Sequence, residues 1–253
     1  MEWYEQIVLK TLGGSHAYGL NTPESDMDER GVALPKVAWL LGFSPSGQGA
    51  QTHESMVNTD LVVHTLGKFC SLALSANPNI LDMLFCREEE IIEMTVVGQA
   101  LRGLREQFLS QRAYKSYAGY AAQQLKRMRN HNTDHGAHRE LIDKFGYDTK
   151  NAMHLIRLLK MGKTLLGEGR VEVYRSDREF LLEVRAGKYS VAQVQKMAEE
   201  LDAECKELSE HSVLPKEPNT YGIEQWLMSV HHAWIDGETW VLDQVEIGGR
   251  HEH

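Results

Sequence analysis

Two aspartates with one residue between them, Asp26 and Asp28, follow a Thr-Pro-Glu-Ser stretch in a chain of 253 residues. In an extended strand, positions i and i+2 share a face and lie about 7 Å apart. Carboxylates so placed repel each other unless a cation sits between them. Upstream, Gly13-Gly14-Ser15 ends the apolar run 7–12. Glycine lets a backbone approach an anion closely, and successive N–H groups in a turn form a nest for phosphate. The hydroxyls of Ser15 and Ser25 would add donors. A third carboxylate, Asp60, heads a later apolar run through residues 61–65. Three carboxylates beside an anion nest suit Mg²⁺, a hard cation that shares its shell with substrate phosphates. Two such ions, or Mn²⁺ in their place, activate an attacking oxygen and stabilise a leaving one. Taken singly, Asp26 and Asp28 are equally good turn residues; the ordered set with Gly14, Ser15 and Asp60 favours the metal reading.

Positioning such a set requires strands. Residues 7–12, 27–34 and 60–65 read as three of them, the second stopped by Pro35 and the third running directly into a helix over 66–76. Asn77-Pro78 breaks that helix, and Pro78 can open the next, over 79–85. Residues 42–51 are loop-like in composition. From about residue 96 the apolar spacing is helical, with helices expected near 96–110, 112–130, 147–166, 177–186, 190–210 and 221–236, Ser190 capping one of them, and a short strand over 171–174. The fold expected is α+β: a small mixed-sheet domain over 1–95, followed by a helical domain over 96–245.

The composition, 42% hydrophobic and 25% charged, is that of an ordinary globular chain. Its apolar runs fall short of the roughly 20 residues of a membrane helix, and the first residues lack a secretory signal pattern. Cys70, Cys86 and Cys205 form no metal spacing and read as buried thiols, so a cytoplasmic location is expected. The net charge of −9 is unevenly spread: Arg102 to Lys163 holds 13 Lys and Arg against 5 Asp and Glu. That asymmetry fits one region facing a polyanion such as RNA.

Within the basic region, Lys150, His154 and Arg157 fall at i, i+4 and i+7 of one helix, with Lys160 and Lys163 beyond them. A cationic stripe of this kind suits a triphosphate, although a solvated helix flank has the same pattern. His131, Asp134, His135 and His138 are legitimate zinc ligand types, but their polar segment lacks cysteine and reads first as a surface loop. With Lys126, Arg127 and Arg129 it could instead touch a nucleic acid. Trp226, Trp234 and Trp240 read as packing residues.

The segment GSHAYGLNTPESDMDERGV (14–32), Asp60 with Lys68-Phe69 and Asn77-Pro78, and YDTKNAMHLIRLL (147–159) together resemble the DNA polymerase β-like nucleotidyltransferase superfamily, and within it the RNA-repair-pathway (RlaP-type) family of nucleotidyltransferases. The resemblance covers roughly residues 5–230. It implies a palm-like sheet domain and transfer of a nucleoside monophosphate from an NTP to an acceptor hydroxyl. Asp26, Asp28 and Asp60 would be metal ligands and catalytic residues. Gly14, Ser15, Ser25, Lys150, His154 and Arg157 would be nucleotide contacts. An RNA 3′ end is the acceptor expected first. A protein hydroxyl, as in AMPylating toxin–antitoxin enzymes, and an inactive NTP- or RNA-binding module are the alternatives.

Overall fold

The computed structural model describes residues 4–23, 25–42, 54–56, 61–129 and 137–245. The apolar run at 7–12 lies in β1 (Tyr4–Leu12), which is flanked by β2 (Glu29–Pro35) and β5 (Ile91–Met94) and antiparallel to both. β4 (Leu61–Thr65) runs parallel to β2, and β3 (Glu54–Met56) pairs antiparallel with β4. The order is therefore β3-β4-β2-β1-β5, a mixed sheet within the expected α+β class. β2 is buried at every position from Gly31 to Pro35, as a strand covered on both faces must be. On one face Ala33, Leu61 and Val63 form a buried cluster with Tyr4, Ile7 and Trp39, the last from α2 (Val37–Leu41).

The helix boundaries follow local chemistry. Thr65, the last residue of β4, caps α3 (Leu66–Leu74) by accepting from the Lys68 N–H at 3.1 Å. Asn77 caps α4 (Pro78–Phe85) through the Asn79 N–H at 3.0 Å, and Pro78 occupies the first turn where its missing N–H costs nothing. α5 (Val96–Gly103) is capped by Thr95 and lies against β1: Thr95 N–H donates to the Val8 carbonyl at 2.9 Å. α11 (Thr220–Ile235) also returns to the sheet, its buried Trp234 donating Nε1–H to the Pro35 carbonyl at 2.8 Å. After it, the chain adds an antiparallel bridge between Gln244 and Thr95.

The chain divides into two compact units: Ser110–Lys216 is one, and the segments on either side of it form the other. This differs from a division at residue 95, because α5 and α11 bury their apolar faces within the sheet unit. In the Ser110–Lys216 unit, α8 (Thr149–Glu168) packs against α6 (Ala113–Arg129), α7 (Ala137–Phe145), α9 (Arg178–Arg185) and α10 (Val191–Glu210). Asp148 caps α8, accepting from the Asn151 backbone at 2.9 Å and its side chain at 2.7 Å, and Ser190 caps α10 as expected. Residues 171–174 form no strand; no other strand lies in that unit among the described residues, so an extended segment has no ladder partner.

Arg175, 3% exposed, closes this segment by donating Nε–H to Asp177 at 2.9 Å, and Lys160 meets the same carboxylate at 2.9 Å. Burial pushes the Asp177 pKa up, but the hydrogen bonds and charges of Arg175 and Lys160 outweigh it and hold it below the ordinary 3.8. A depressed folded pKa gives stability that is complete above the ordinary aspartate range and disappears as pH falls through the lower folded value. Asp177→Asn is therefore expected to cost about 2 kcal/mol at pH 7 and to flatten the acid limb below about pH 4. Urea titrations at pH 7 and pH 3 check this; an equal loss at both pH values would contradict the assignment.

Candidate active site

β1 and β2 bring the glycine turn and the acidic pair together. Their ladder ends with Leu12 opposite Glu29, and Gly13 N–H extends it to the Asp28 carbonyl at 2.8 Å. Gly14 has φ +58, a left-handed conformation that other residues adopt only under strain. A Cβ there would lie 2.0 Å from Asp28 Oδ2, so the absent side chain is also what admits the carboxylate. Gly14 opens the short helix α1 (Gly14–Tyr18), which ends at Gly19 with φ 69. Tyr18, 3% exposed, anchors α1 by donating its hydroxyl to the buried Asp82 of α4 at 2.5 Å.

Asp26 and Asp28 are both exposed. They lie just ahead of β2, which begins at Glu29 rather than Met27, so the expected strand alternation does not set their spacing. The backbone there is already engaged by the Gly13 bond, leaving the pair on an open edge. Ser25 is committed locally: its Oγ accepts from the Thr22 N–H at 2.8 Å, and its own N–H donates to the Thr22 carbonyl at 2.9 Å. That turn presents the acidic pair. Asp60 lies outside the described residues; the residue after it, Leu61, pairs with Glu29, the residue after Asp28.

Donor chemistry fits a hard divalent cation. Asp26 and Asp28 supply exposed carboxylate oxygens, and among the described residues no cationic side chain is paired with either. No group of three His, Cys, Asp or Glu that could hold a metal occurs among the described residues. The side chains of His131, Asp134, His135 and His138 lie outside them, as do residues 43–51 of the expected loop.

The basic stripe of α8 is not a uniform flank. Lys150 and His154 are half-buried, whereas Arg157 is only 4% exposed and donates Nη1–H to Met161 Sδ at 3.0 Å. Lys160 is held by Asp177, and Lys163 by Glu204 at 2.5 Å. Lys126, Arg127 and Arg129 are exposed in the last turn of α6. The cysteines are free and buried; burial pushes Cys70 and Cys205 up to about 12, and Cys86 to about 11 against the opposing charge of Arg102. Thiols so protonated are poor nucleophiles. Among the described residues no helix is long and apolar enough to cross a membrane.

One residue of this region escaped the reading of the sequence. Arg30 follows Asp28 at the same two-residue spacing that singled out Asp26 and Asp28, and its side chain lies against Gly13. Its two-residue spacing from Asp28 is the signal in the sequence that points to it.

A glycine-serine turn hydrogen-bonded to an acidic segment thus lies at the end of a mixed sheet. The chain is a member of the RNA repair pathway DNA polymerase beta family, which it matches over residues 3–229. It is also 29% identical over 130 residues to an uncharacterized 38.9 kDa protein from the nrdC-mobD intergenic region of Enterobacteria phage T4, a match taking in 48% of this chain and 38% of that one. The chain thus spans well under half of that relative's length. Among solved structures, the nucleotidyltransferase-like protein from Exiguobacterium sibiricum 255-15 aligns over 90% of this chain and 74% of its own, at 13% identity and a TM-score of 0.29. That score is too low to carry an argument about the site.

Proposed function

We propose that this nucleotidyltransferase moves a nucleoside monophosphate from an NTP onto the 3′ hydroxyl of an RNA. The observation that carries the reading is the close approach of the Asp28 carboxylate to Gly14, which sets an exposed carboxylate oxygen beside a glycine turn of the kind that suits a phosphate. Asp26, Asp28 and Asp60 would hold two Mg²⁺. When bound, these ions lower the pKa of the acceptor hydroxyl and offset charge on the phosphate oxygens. The residues of the chain supply the rest. The first N–H groups of α1, from Gly14, Ser15 and His16, precede any intrahelical acceptor and would face a phosphate in this scheme. The Ser15 hydroxyl adds a donor to the same group. Ser25 holds the acidic segment in place through its turn with Thr22. Asp60 accepts the proton of the attacking hydroxyl in this scheme.

For Lys150, His154 and Arg157 the proposal rests on the family resemblance, as nucleotide contacts. The burial of Arg157 makes Lys150 the better candidate for a direct phosphate contact. An RNA acceptor is supported by the family's RNA repair assignment and by the exposed Lys126, Arg127 and Arg129.

The test is to incubate the purified protein with Mg²⁺ and each α-labelled NTP in turn, adding either RNA or lysate protein. Label is expected at RNA 3′ ends and should require Mg²⁺ or Mn²⁺. Label on protein alone would replace the acceptor assigned here. No incorporation with any NTP and either acceptor would leave an NTP- or RNA-binding module.

A further inference from the structure

We infer that Arg30 is the residue that receives the polyphosphate of the NTP, and then the departing pyrophosphate, beside the glycine turn. This rests on the proposed transfer reaction but uses only residues of the sheet unit.

The two glycines of the turn are bracketed by opposite charges. A Cβ on Gly14 would strike Asp28 Oδ2 at 2.0 Å, and a Cβ on Gly13 would lie 2.8 Å from Arg30 Nε and 3.2 Å from its Cδ. Consecutive Cα atoms are about 3.8 Å apart, so carboxylate and guanidinium flank adjacent residues of a single bend. They do not neutralise each other: among the described residues no ion pair joins Arg30 to any carboxylate. The neighbouring Glu29, on the opposite strand face, is taken by Lys10 at 2.6 Å. Among the described residues the guanidinium donates one hydrogen bond, from Nη1 to the Asn79 carbonyl at 3.3 Å, at the start of α4. That bond orients it, and no described residue accepts from Nε–H or the Nη2 hydrogens, which suit another acceptor.

An arginine oriented at one nitrogen, half-buried and beside an anion nest, suits a multivalent phosphate, which accepts planar bidentate bonds. Its location also fits the chemistry. As the α-phosphate bond to the acceptor oxygen forms and the bond to the β-phosphate oxygen breaks, the electron pair leaves with pyrophosphate. A fixed cation next to the turn stabilises that charge without itself exchanging a proton.

A purely structural arginine, holding the start of α4 through Asn79, is the rival account, and the choice of variants separates the two. Arg30→Gln keeps a donor for that carbonyl and loses the charge; Arg30→Lys keeps the charge and loses the fork. Binding of magnesium tripolyphosphate and magnesium pyrophosphate is measured by calorimetry, with thermal unfolding alongside. Arg30→Gln should weaken tripolyphosphate at least about tenfold, and Arg30→Lys should recover part of that loss. Wild-type affinity in Arg30→Gln, or equal losses in the two variants, would overturn the assignment. If Arg30→Gln proves unstable, Gly13→Ala carries the test. Gly13 has φ −121, so alanine is tolerated by the backbone, yet its Cβ displaces the guanidinium and should weaken tripolyphosphate too. Undiminished binding in Gly13→Ala would count against Arg30. Transfer lost in Asp28→Asn with wild-type tripolyphosphate binding in Arg30→Gln removes the Arg30 assignment alone; transfer retained in Asp28→Asn removes the metal reading instead.

Discussion

Asp28→Asn is expected to lower nucleotidyl transfer by about a thousandfold or more while leaving the melting temperature within a degree or so of wild type. Asparagine has nearly the same shape, so it can occupy the space that Gly14 leaves open. What it loses is the negative charge, and a neutral amide is a poor ligand for a divalent cation whose shell is otherwise phosphate and water. Stability is expected to hold because Asp28 is exposed and no described cation pairs with it. Removing a charge beside Asp26 also relieves repulsion in the protein without metal, so any small change in melting should be upward. Side-by-side initial rates and thermal scans decide the matter. A rate within about threefold of wild type would take Asp28 out of the metal site.

The second large effect is on the scaffold. Gly98→Ala is expected to cost about 3 kcal/mol or more, because a Cβ at that position would lie 2.0 Å from the backbone carbonyl oxygen of Val8. No rotamer change relieves a contact with main chain. The oxygen itself cannot swing away, since it accepts the Thr95 N–H at 2.9 Å and lies within β1, the strand that leads into the glycine turn. At this chain length a loss of that size lowers a melting temperature by roughly 6–12 °C. Gly103→Ala in the same helix is the control: nothing lies within 4 Å of its Cβ position, so it should be neutral or slightly stabilising. Equal melting of the two variants would mean that α5 is not packed against β1 as described.

Much of this arrangement was legible because it depends on local chemistry. Pro78 after Asn77 marked the start of α4, Ser190 marked α10, and the short apolar runs around Val32 and Val63 marked the strands. β5 was missed because four residues, Ile91–Met94, behind three glutamates are too few to show a period. α7 was missed because its polar lead-in read as loop. The glycine turn and the acidic segment could be placed beside each other from their order alone. The register that brings Gly13 onto Asp28, and Arg30 onto Gly13, depends on strand pairing across the chain, which no local window contains. Arg157 shows the opposite failure: helical spacing gave its phase, but its burial depended on neighbours distant in sequence.

The sheet unit is assembled from two stretches of chain separated by more than a hundred residues, and α11 and the Gln244 bridge come from the second stretch. On a translating ribosome, the intervening helices emerge complete before those pieces exist. The edge beside Thr95 and the Pro35 carbonyl must therefore wait, uncovered, until the last part of the unit is synthesised. Closure of the sheet unit is thus tied to the emergence of α11 and Gln244, with the helical insert free to mature first.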